Sequence, residues 1–188
     1  MENSMTAVLP ENRDAGEMTE AHMELLIQSY GNSLLRLCTL YLRDPYLAED
    51  AVQDTYLKIW KSYRSFRGRS AEKTWITRIA INTCKNYLSS SWRRHVEPSD
   101  VMEIMEAGLE IRNRDEYESL SNTMILMNEV MKLKDQYRLA ILLYYYQELP
   151  VPEIARVMGR QESTVYILLK RGREQLKRNL PEEIREAL

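Results

Sequence analysis

Ten cations and one anion fall between Lys58 and Arg94, together with all three tryptophans of the chain and its only phenylalanine. The cations are Lys58, Lys61, Arg64, Arg67, Arg69, Lys73, Arg78, Lys85, Arg93 and Arg94, and the rings are Trp60, Phe66, Trp75 and Trp92. Cations alone suit a phosphate backbone. Cations interleaved with rings suit unpaired bases as well, because any base face stacks on a ring for about 1–3 kcal/mol. The plainer alternative is a solvated basic face over an ordinary aromatic core. The chain as a whole has a formal net charge of −2, so the cations are segregated, which is the footprint of a nucleic-acid surface.

Just upstream, Asp50, Gln53, Asp54 and Leu57 recur at i, i+3, i+4 and i+7 and share one helix face. Two carboxylates, an amide and a leucine make a solvated stripe or half of a metal site. Leu57 argues against plain solvation, and the lack of a nearby histidine argues against the metal. A third constellation lies near the C-terminus, where a helix signal over Pro152–Met158, Gly159 and a second helix signal from Glu162 give the shape of a helix-turn-helix. Ile154, Ala155, Met158, Val165 and Leu168 or Leu169 close its small core. Glu162, Ser163, Thr164, Tyr166, Lys170, Arg171 and Arg173 are left on the outer side or at the helix start. A helical pair without any DNA role has the same pattern.

The elements that must position these groups are helices. Glycine and proline number six each among 188 residues, and no apolar alternation makes a convincing strand. Net charge divides the chain into blocks: −7 over residues 1–57, +9 over 58–94, −6 over 95–122, +4 over 123–180 and −2 over the tail. Two basic blocks separated by an acidic one predict an all-α protein of two small helical domains joined by an acidic linker, the C-terminal domain being the helix-turn-helix. The expected division is a disordered segment 1–18, a first domain 19–94, a linker 95–122 with a short amphipathic turn at Val101, Ile104 and Met105, a second domain 123–180 and a tail 181–188.

Within the first domain, Met23, Leu26, Ile27, Tyr30, Leu34, Leu37, Cys38 and Tyr41 mark one face of a long helix from Thr19. Asp44-Pro45 predicts an N-cap and first helical residue for a second helix reaching about Tyr63. After the turn Arg67-Gly68-Arg69-Ser70, with Ser70 as N-cap, a third helix is expected to turn Ile76, Ile79, Ala80, Thr83, Cys84 and Tyr87 inward. In the second domain, helices are predicted over Met124–Lys132, Gln136–Gln147, Pro152–Met158 and from Glu162 to about Arg178.

Several classes are disfavoured. The N-terminus lacks the cationic start and apolar core of a secretion signal, and the longest apolar run, Leu139–Tyr146, is too short to span a bilayer. No membrane insertion and a cytoplasmic location are therefore expected. Cys38 and Cys84 sit in helical apolar stripes as core filler, and with only His22 and His95 a zinc site is not expected. No cofactor is expected. A metal-dependent nuclease using Glu49, Asp50 and Asp54 would lack a phosphate-cradling glycine loop, a base-activated nucleophile and clustered histidines.

Specific runs of residues carry a resemblance. Ala48-Glu49-Asp50-Ala51-Val52-Gln53-Asp54-Thr55-Tyr56-Leu57-Lys58-Ile59-Trp60 resembles the polymerase-binding segment of bacterial sigma factors. Phe66-Arg67-Gly68 and the run from Thr74 to Leu88 resemble their promoter-melting segment. With the C-terminal helix-turn-helix, the chain resembles the extracytoplasmic-function (ECF) group of the sigma-70 family over about residues 20–180. The resemblance implies a non-enzymatic factor that binds core RNA polymerase and promoter DNA and is restrained by an anti-sigma partner. It implies docking on polymerase through Asp50, Gln53, Asp54 and Leu57. It implies capture of an extruded minus-ten base near Phe66, with Arg78 and Asn82 on the DNA side and Lys85, Asn86, Arg93 and Arg94 on phosphates. Trp75 is either core or a stacking platform. Ser163, Thr164, Tyr166, Lys170, Arg171 and Arg173 would face the minus-thirty-five element. Here the chain departs from the family, because Tyr166-Ile167-Leu168 replaces a basic residue, serine and arginine, and Val151 replaces a serine or threonine N-cap. Tyr166 then suits apolar contact with thymine methyls. A free-standing helix-turn-helix regulator is the alternative, but it leaves the 58–94 block without a task.

Overall fold

The computed structural model describes residues 17–89 and 114–185. The segment 1–16, Trp92, Arg93, Arg94 and the turn expected at Val101, Ile104 and Met105 lie outside the described residues. Local chemistry sets the first boundaries. The Thr19 side chain accepts from the His22 amide at 3.2 Å and opens α1, Glu20–Leu42. Arg43, in the left-handed region at φ 59°, closes it, its backbone N–H donating to the Thr39 carbonyl at 2.7 Å. Asp44 accepts from the Leu47 amide at 3.0 Å, and Pro45 begins α2, Pro45–Ser62. Both features follow from Asp44-Pro45 as expected.

A 3-10 turn at Tyr63–Ser65 and a loop with Gly68 at φ 63° lead to α3, Glu72–Ser89. This helix starts two residues after Ser70, and its first backbone bond runs from Trp75 to the Ala71 carbonyl, so Ser70 is not the N-cap. The second half is built from α4, Arg114–Lys132; α5, Asp135–Ile141; a wider π turn, Leu142–Tyr146; α6, Val151–Met158; α7, Glu162–Asn179; and α8, Glu182–Arg185.

Three expectations are corrected here. The helix predicted from Met124 begins at Arg114, inside the acidic stretch read as linker. The single helix predicted over Gln136–Gln147 widens after Ile141, where the Gln147 amide reaches back five residues to the Leu142 carbonyl at 2.9 Å. Val151 is helical and the cap position belongs to Pro150, which has no side-chain acceptor to offer.

The helices α1, α2 and α3 pack on one another around Leu26, Leu34, Leu37, Cys38, Ala48, Ala51, Ile59, Ile76, Ala80 and Cys84, none more than 1 % exposed. Met18, expected in a disordered segment, is buried against this core, whereas Ile27, expected on the apolar face, is 46 % exposed. A second core joins α5, α6 and α7 through Leu143, Ile154, Val165 and Leu169, each fully buried. Burying a leucine- or isoleucine-sized side chain contributes about 1.5–3 kcal/mol. Both Leu168 and Leu169 enter the core, and Gly159 at φ 65° turns the chain between α6 and α7.

The two halves also touch. α3 packs along α6, and α1 meets α5. The Arg43 guanidinium donates to the Met131 carbonyl at 2.6 Å, and the Gln147 amide donates to the Ser33 carbonyl at 3.2 Å. Arg138, 2 % exposed, is held by Asp135 at 2.9 Å, by the Leu133 carbonyl at 3.2 Å and by the Tyr41 carbonyl at 3.5 Å. Burial, and then the charge of Arg43, push the Arg138 guanidinium below its ordinary range.

Candidate functional site

The loop after α2 forms a cavity of about 300 Å³ bounded by Phe66, Trp75 and the arginines Arg67, Arg69, Arg78 and Arg156. Its floor is an aromatic cluster: the Phe66 and Trp75 ring centroids are 5.1 Å apart, and Tyr63 lies 6.0 Å from Phe66 and 5.9 Å from Trp75. Phe66 and Trp75 are each half-buried, so Trp75 serves as core and cavity wall at once.

A polar triad anchors the cluster from below. The Tyr63 hydroxyl donates to the Glu72 carboxylate at 2.9 Å and lies 2.9 Å from His22 Nε2, which is 3.2 Å from the same carboxylate. Burial, and then the bond to Glu72, hold the Tyr63 phenol well above the ordinary tyrosine range. A ring pair ringed by guanidiniums can take a planar base on its face and the attached phosphates on its rim. Sequence reasoning chose Phe66 and Arg78 here. It missed Arg67 and Arg69, whose signal was their place beside the ring in a polar loop.

Of the residues expected to face DNA on α3, Arg78, Asn82 and Asn86 are exposed, and Lys85 is half-buried. The face opposite the first core is not free, contrary to expectation. Thr74, Thr77 and Ile81, each 1 % exposed or less, form a second buried stripe along α3, the helix that packs on α6. Lys85 lies in a cleft with Arg160 and Thr164, and burial together with the charges of Arg160 and Arg78 pulls its ammonium below the ordinary lysine range. Arg93 and Arg94 lie outside the described residues.

On α2, Asp50 and Gln53 are exposed, Leu57 is 57 % exposed and Asp54 is half-buried, so the expected face exists. Ala48, Ala51, Thr55 and Ile59 fill the opposite face. Asp54 accepts from the Tyr87 hydroxyl of α3 at 3.1 Å, which fixes one carboxylate on the stripe. Burial and that bond push the Tyr87 phenol up to about 12. Trp60, one turn beyond Leu57, is 44 % exposed and extends the patch; its i+3 spacing from Leu57 was the available signal.

On α7, Ser163, Tyr166, Lys170, Arg171 and Arg173 are exposed, but they do not act as one surface. Tyr166 and Ile167, 58 % and 51 % exposed, put an apolar spot on the outer face. Arg173 lies over the Tyr144 ring at 5.8 Å and borders an apolar groove of about 330 Å³ with Leu126, Val130 and Tyr145. Thr164 is half-buried and turned into the Lys85 cleft. Cys38 and Cys84 are buried free thiols, and the contact with Cys84, then burial, raises the Cys38 thiol. Among the described residues no cluster of metal-ligating side chains occurs, and no helix is long and apolar enough to cross a membrane.

Comparison with known proteins bears on both halves. Residues 26–94 match the sigma-70 region 2 family and residues 123–176 match sigma-70, region 4. The chain is 33% identical over 163 residues to the ECF RNA polymerase sigma-E factor of Haemophilus influenzae, covering 83% of this chain and 86% of that one. It is 35% identical over 164 residues to the RNA polymerase sigma factor YlaC of Bacillus subtilis, covering 84% and 91%. In fold it is similar to CnrH, solved in complex with the cytosolic domain of CnrY, with a TM-score of 0.59 at 19% identity, covering 84% of this chain and 86% of that one. It is similar too to the sigma factor RpoE of Bartonella quintana, solved with the anti-sigma factor NepR, with a TM-score of 0.57 at 21% identity, covering 82% and 96%.

Proposed function

The chain belongs to the ECF group of the sigma-70 family, and we propose how its surfaces divide the work of starting transcription. It is a sigma factor: it binds core RNA polymerase and directs it to promoters, and it is not an enzyme. Residues 19–94 form the unit that meets polymerase and the minus-ten element, and residues 123–180 form the unit that meets the minus-thirty-five element, with 95–122 between them.

The stripe of exposed Asp50, Gln53 and Leu57 with half-buried Asp54 docks on the polymerase. A mixed polar and apolar patch over a rigid helix suits a protein interface, and the bond from Tyr87 keeps the Asp54 carboxylate from wandering. The cavity beside Phe66 takes one base drawn out of the duplex. Extrusion costs a few kcal/mol, and stacking on the Phe66–Trp75 pair with charge from Arg67, Arg69 and Arg78 offsets it. Asn82 presents a donor and an acceptor to a base edge, while Lys85, Asn86, Arg93 and Arg94 hold phosphates. On α7, Ser163, Lys170 and Arg171 face the groove and Tyr166 meets thymine methyls, whereas Arg173, over the Tyr144 ring, and Thr164, in the Lys85 cleft, lie off that surface.

Two relatives in fold were solved with the cytosolic domain of CnrY and with the anti-sigma factor NepR, and an anti-sigma partner is the expected restraint here too. The cytoplasm is the compartment that goes with this role. The observation that carries the reading is the arginine-rimmed ring pair. Purified chain and core polymerase, incubated with a pool of promoter fragments, should yield transcripts from discrete start sites. No start site from any fragment would refute the reading.

A further inference from the structure

The outer face of α7 has a regular order once Thr164 and Arg173 are set aside. Val165, Leu168, Leu169, Gly172 and Leu176 are buried, so Ser163, Tyr166, Ile167, Lys170 and Arg171 stand outward at i, i+3, i+4, i+7 and i+8. Tyr166 and Ile167 are the large apolar side chains exposed on this helix, at 58 % and 51 %. They fall in its second turn, and a recognition helix meets base edges with its N-terminal residues. Lys170 and Arg171 follow one turn later. The ion pair of Lys170 with Glu174, 4.0 Å long and exposed at both ends, holds the ammonium weakly and leaves it available to a phosphate.

The helix that carries this pair is firmly seated. Val165 and Leu169 are fully buried, and a Cβ added at Gly172 would come within 3.1 Å of the Ile141 side chain, so α7 lies close against α5 and holds its outer face in place. Neighbouring Cα atoms are about 3.8 Å apart and successive bases on one strand rise about 3.4 Å, so two adjacent side chains can meet two adjacent bases.

Chemistry narrows what such a pair can recognise. Isoleucine has no donor or acceptor, so it gains nothing from the guanine O6 and N7 or the exocyclic amines that polar side chains read. The apolar feature on a major-groove edge is the C5 methyl of thymine. The Tyr166 ring offers the same kind of surface. Single exposed apolar residues are ordinary on any protein. Two adjacent ones in the second turn of the recognition helix, with cations one turn beyond, form a patch of the size and setting of a base contact.

We propose that Tyr166 and Ile167 together read 5-methylpyrimidines, so that the minus-thirty-five element served by this chain carries two neighbouring thymines under α7. The proposal rests on the reading that α7 enters that groove. What is recognised is the methyl and not the rest of the base. At these positions 5-methylcytosine therefore binds better than cytosine, and cytosine methylation strengthens the promoter.

The test uses the full chain bound to core polymerase, with promoter fragments randomised across the minus-thirty-five region. Sequencing of the retained fragments should show two adjacent thymines. In one retained fragment, deoxyuridine then replaces each thymine in turn, which removes one methyl and changes no hydrogen-bonding group. Each replacement within the pair should weaken binding about fourfold, the value of one buried methyl-sized group. 5-Methylcytosine at the same positions should bind about fourfold more tightly than cytosine. Ile167→Ala should abolish the deoxyuridine penalty at one of the two positions and Tyr166→Ala at the other, because a lost methyl has no effect once its partner is gone. Both sites are exposed and alanine favours helix, so the variants keep the fold, as circular dichroism would show.

Equal binding of thymine and deoxyuridine fragments by the parent chain would overturn the proposal, as would a deoxyuridine penalty that both variants retain. A clear preference for other bases in that region would sink the methyl reader and leave α7 in the groove. With no base preference anywhere in the region, the placement of α7 fails and the methyl reader fails with it.

Discussion

The α1–α3 unit and the α4–α8 unit solve the same problem, presenting polar groups from a small helical core, in different ways. In the first, each site is a single helix face or loop over a dense apolar ridge: Asp50, Gln53 and Leu57 stand above Ala48, Ala51 and Ile59. In the second, polar groups are drawn inward. Arg138 and Gln147 are buried, Arg138 bonded to Asp135 and Leu133 of its own unit and to Tyr41 of the first, Gln147 to Ser33 of the first. Arg173 is held over Tyr144, and Tyr166 and Ile167 put an apolar spot on the outside of α7. The first unit therefore carries its chemistry in segregated charge, the second in shape and apolar contact.

The comparison breaks most sharply on α2. Asp54→Arg should remove polymerase association in a co-purification assay while circular dichroism shows the helices intact, because a like charge against a complementary partner costs several kcal/mol. Tyr87→Phe deletes the bond to Asp54 but keeps the carboxylate, and should leave association in place. Unchanged co-purification of Asp54→Arg would remove that face from the interface. In the second unit the largest effect should be on stability. Leu169→Ala, at a fully buried site, should lower unfolding free energy by about 2–5 kcal/mol in a urea melt; a loss below about 1 kcal/mol would mean that this core is not packed as described.

The next effect is smaller and local. Phe66→Ala should lose roughly 1–3 kcal/mol of open-complex stability, read by permanganate reactivity of the melted strand. Phe66→Leu, which retains bulk against Trp75, should keep the fold and lose the stacking. Arg171→Ala should weaken one promoter by about 1–3 kcal/mol if it reads a base, or weaken all promoters alike with a shallower salt slope if it grips phosphate. The absence of both effects would remove Arg171 from the DNA interface.

The smallest effect is a pH dependence. The Tyr87 phenol is held up to about 12 in the folded chain and titrates near 10 when unfolded. The folded state binds this proton more tightly, so its contribution is complete below pH 10 and is lost as pH rises toward about 12. Tyr87→Phe should flatten the alkaline fall of the melting temperature, and an unchanged slope would assign the fall to other groups.

What the sequence disclosed followed local rules. Asp44-Pro45 and Gly159 predicted boundaries because capping and left-handed turns depend on a few neighbouring residues. The faces of Asp50–Leu57 and of Ile76–Tyr87 emerged because helix period is geometric. What stayed hidden depended on distant partners. Thr74 and Thr77 do not read as apolar, so the second buried face of α3 had no signature until α6 was found against it. Arg138 and Gln147 look like surface residues in sequence, and the groups they meet in the first unit, Tyr41 and Ser33, lie 97 and 114 residues away. Acidic composition disguised residues 114–122 as linker, although glutamate is a good helix former. The π turn at Leu142–Tyr146 has the same apolar composition as the helix it interrupts.

The central claim is that the ring pair beside Phe66 holds one extruded base. Single abasic nucleotides can be placed in turn through the minus-ten element, and open-complex lifetime measured with parent and Phe66→Ala holoenzyme. At the captured position the two losses should fail to add, because each removes half of one stacking contact. Strict additivity at every position, with Phe66→Ala still costing stability, would contradict it.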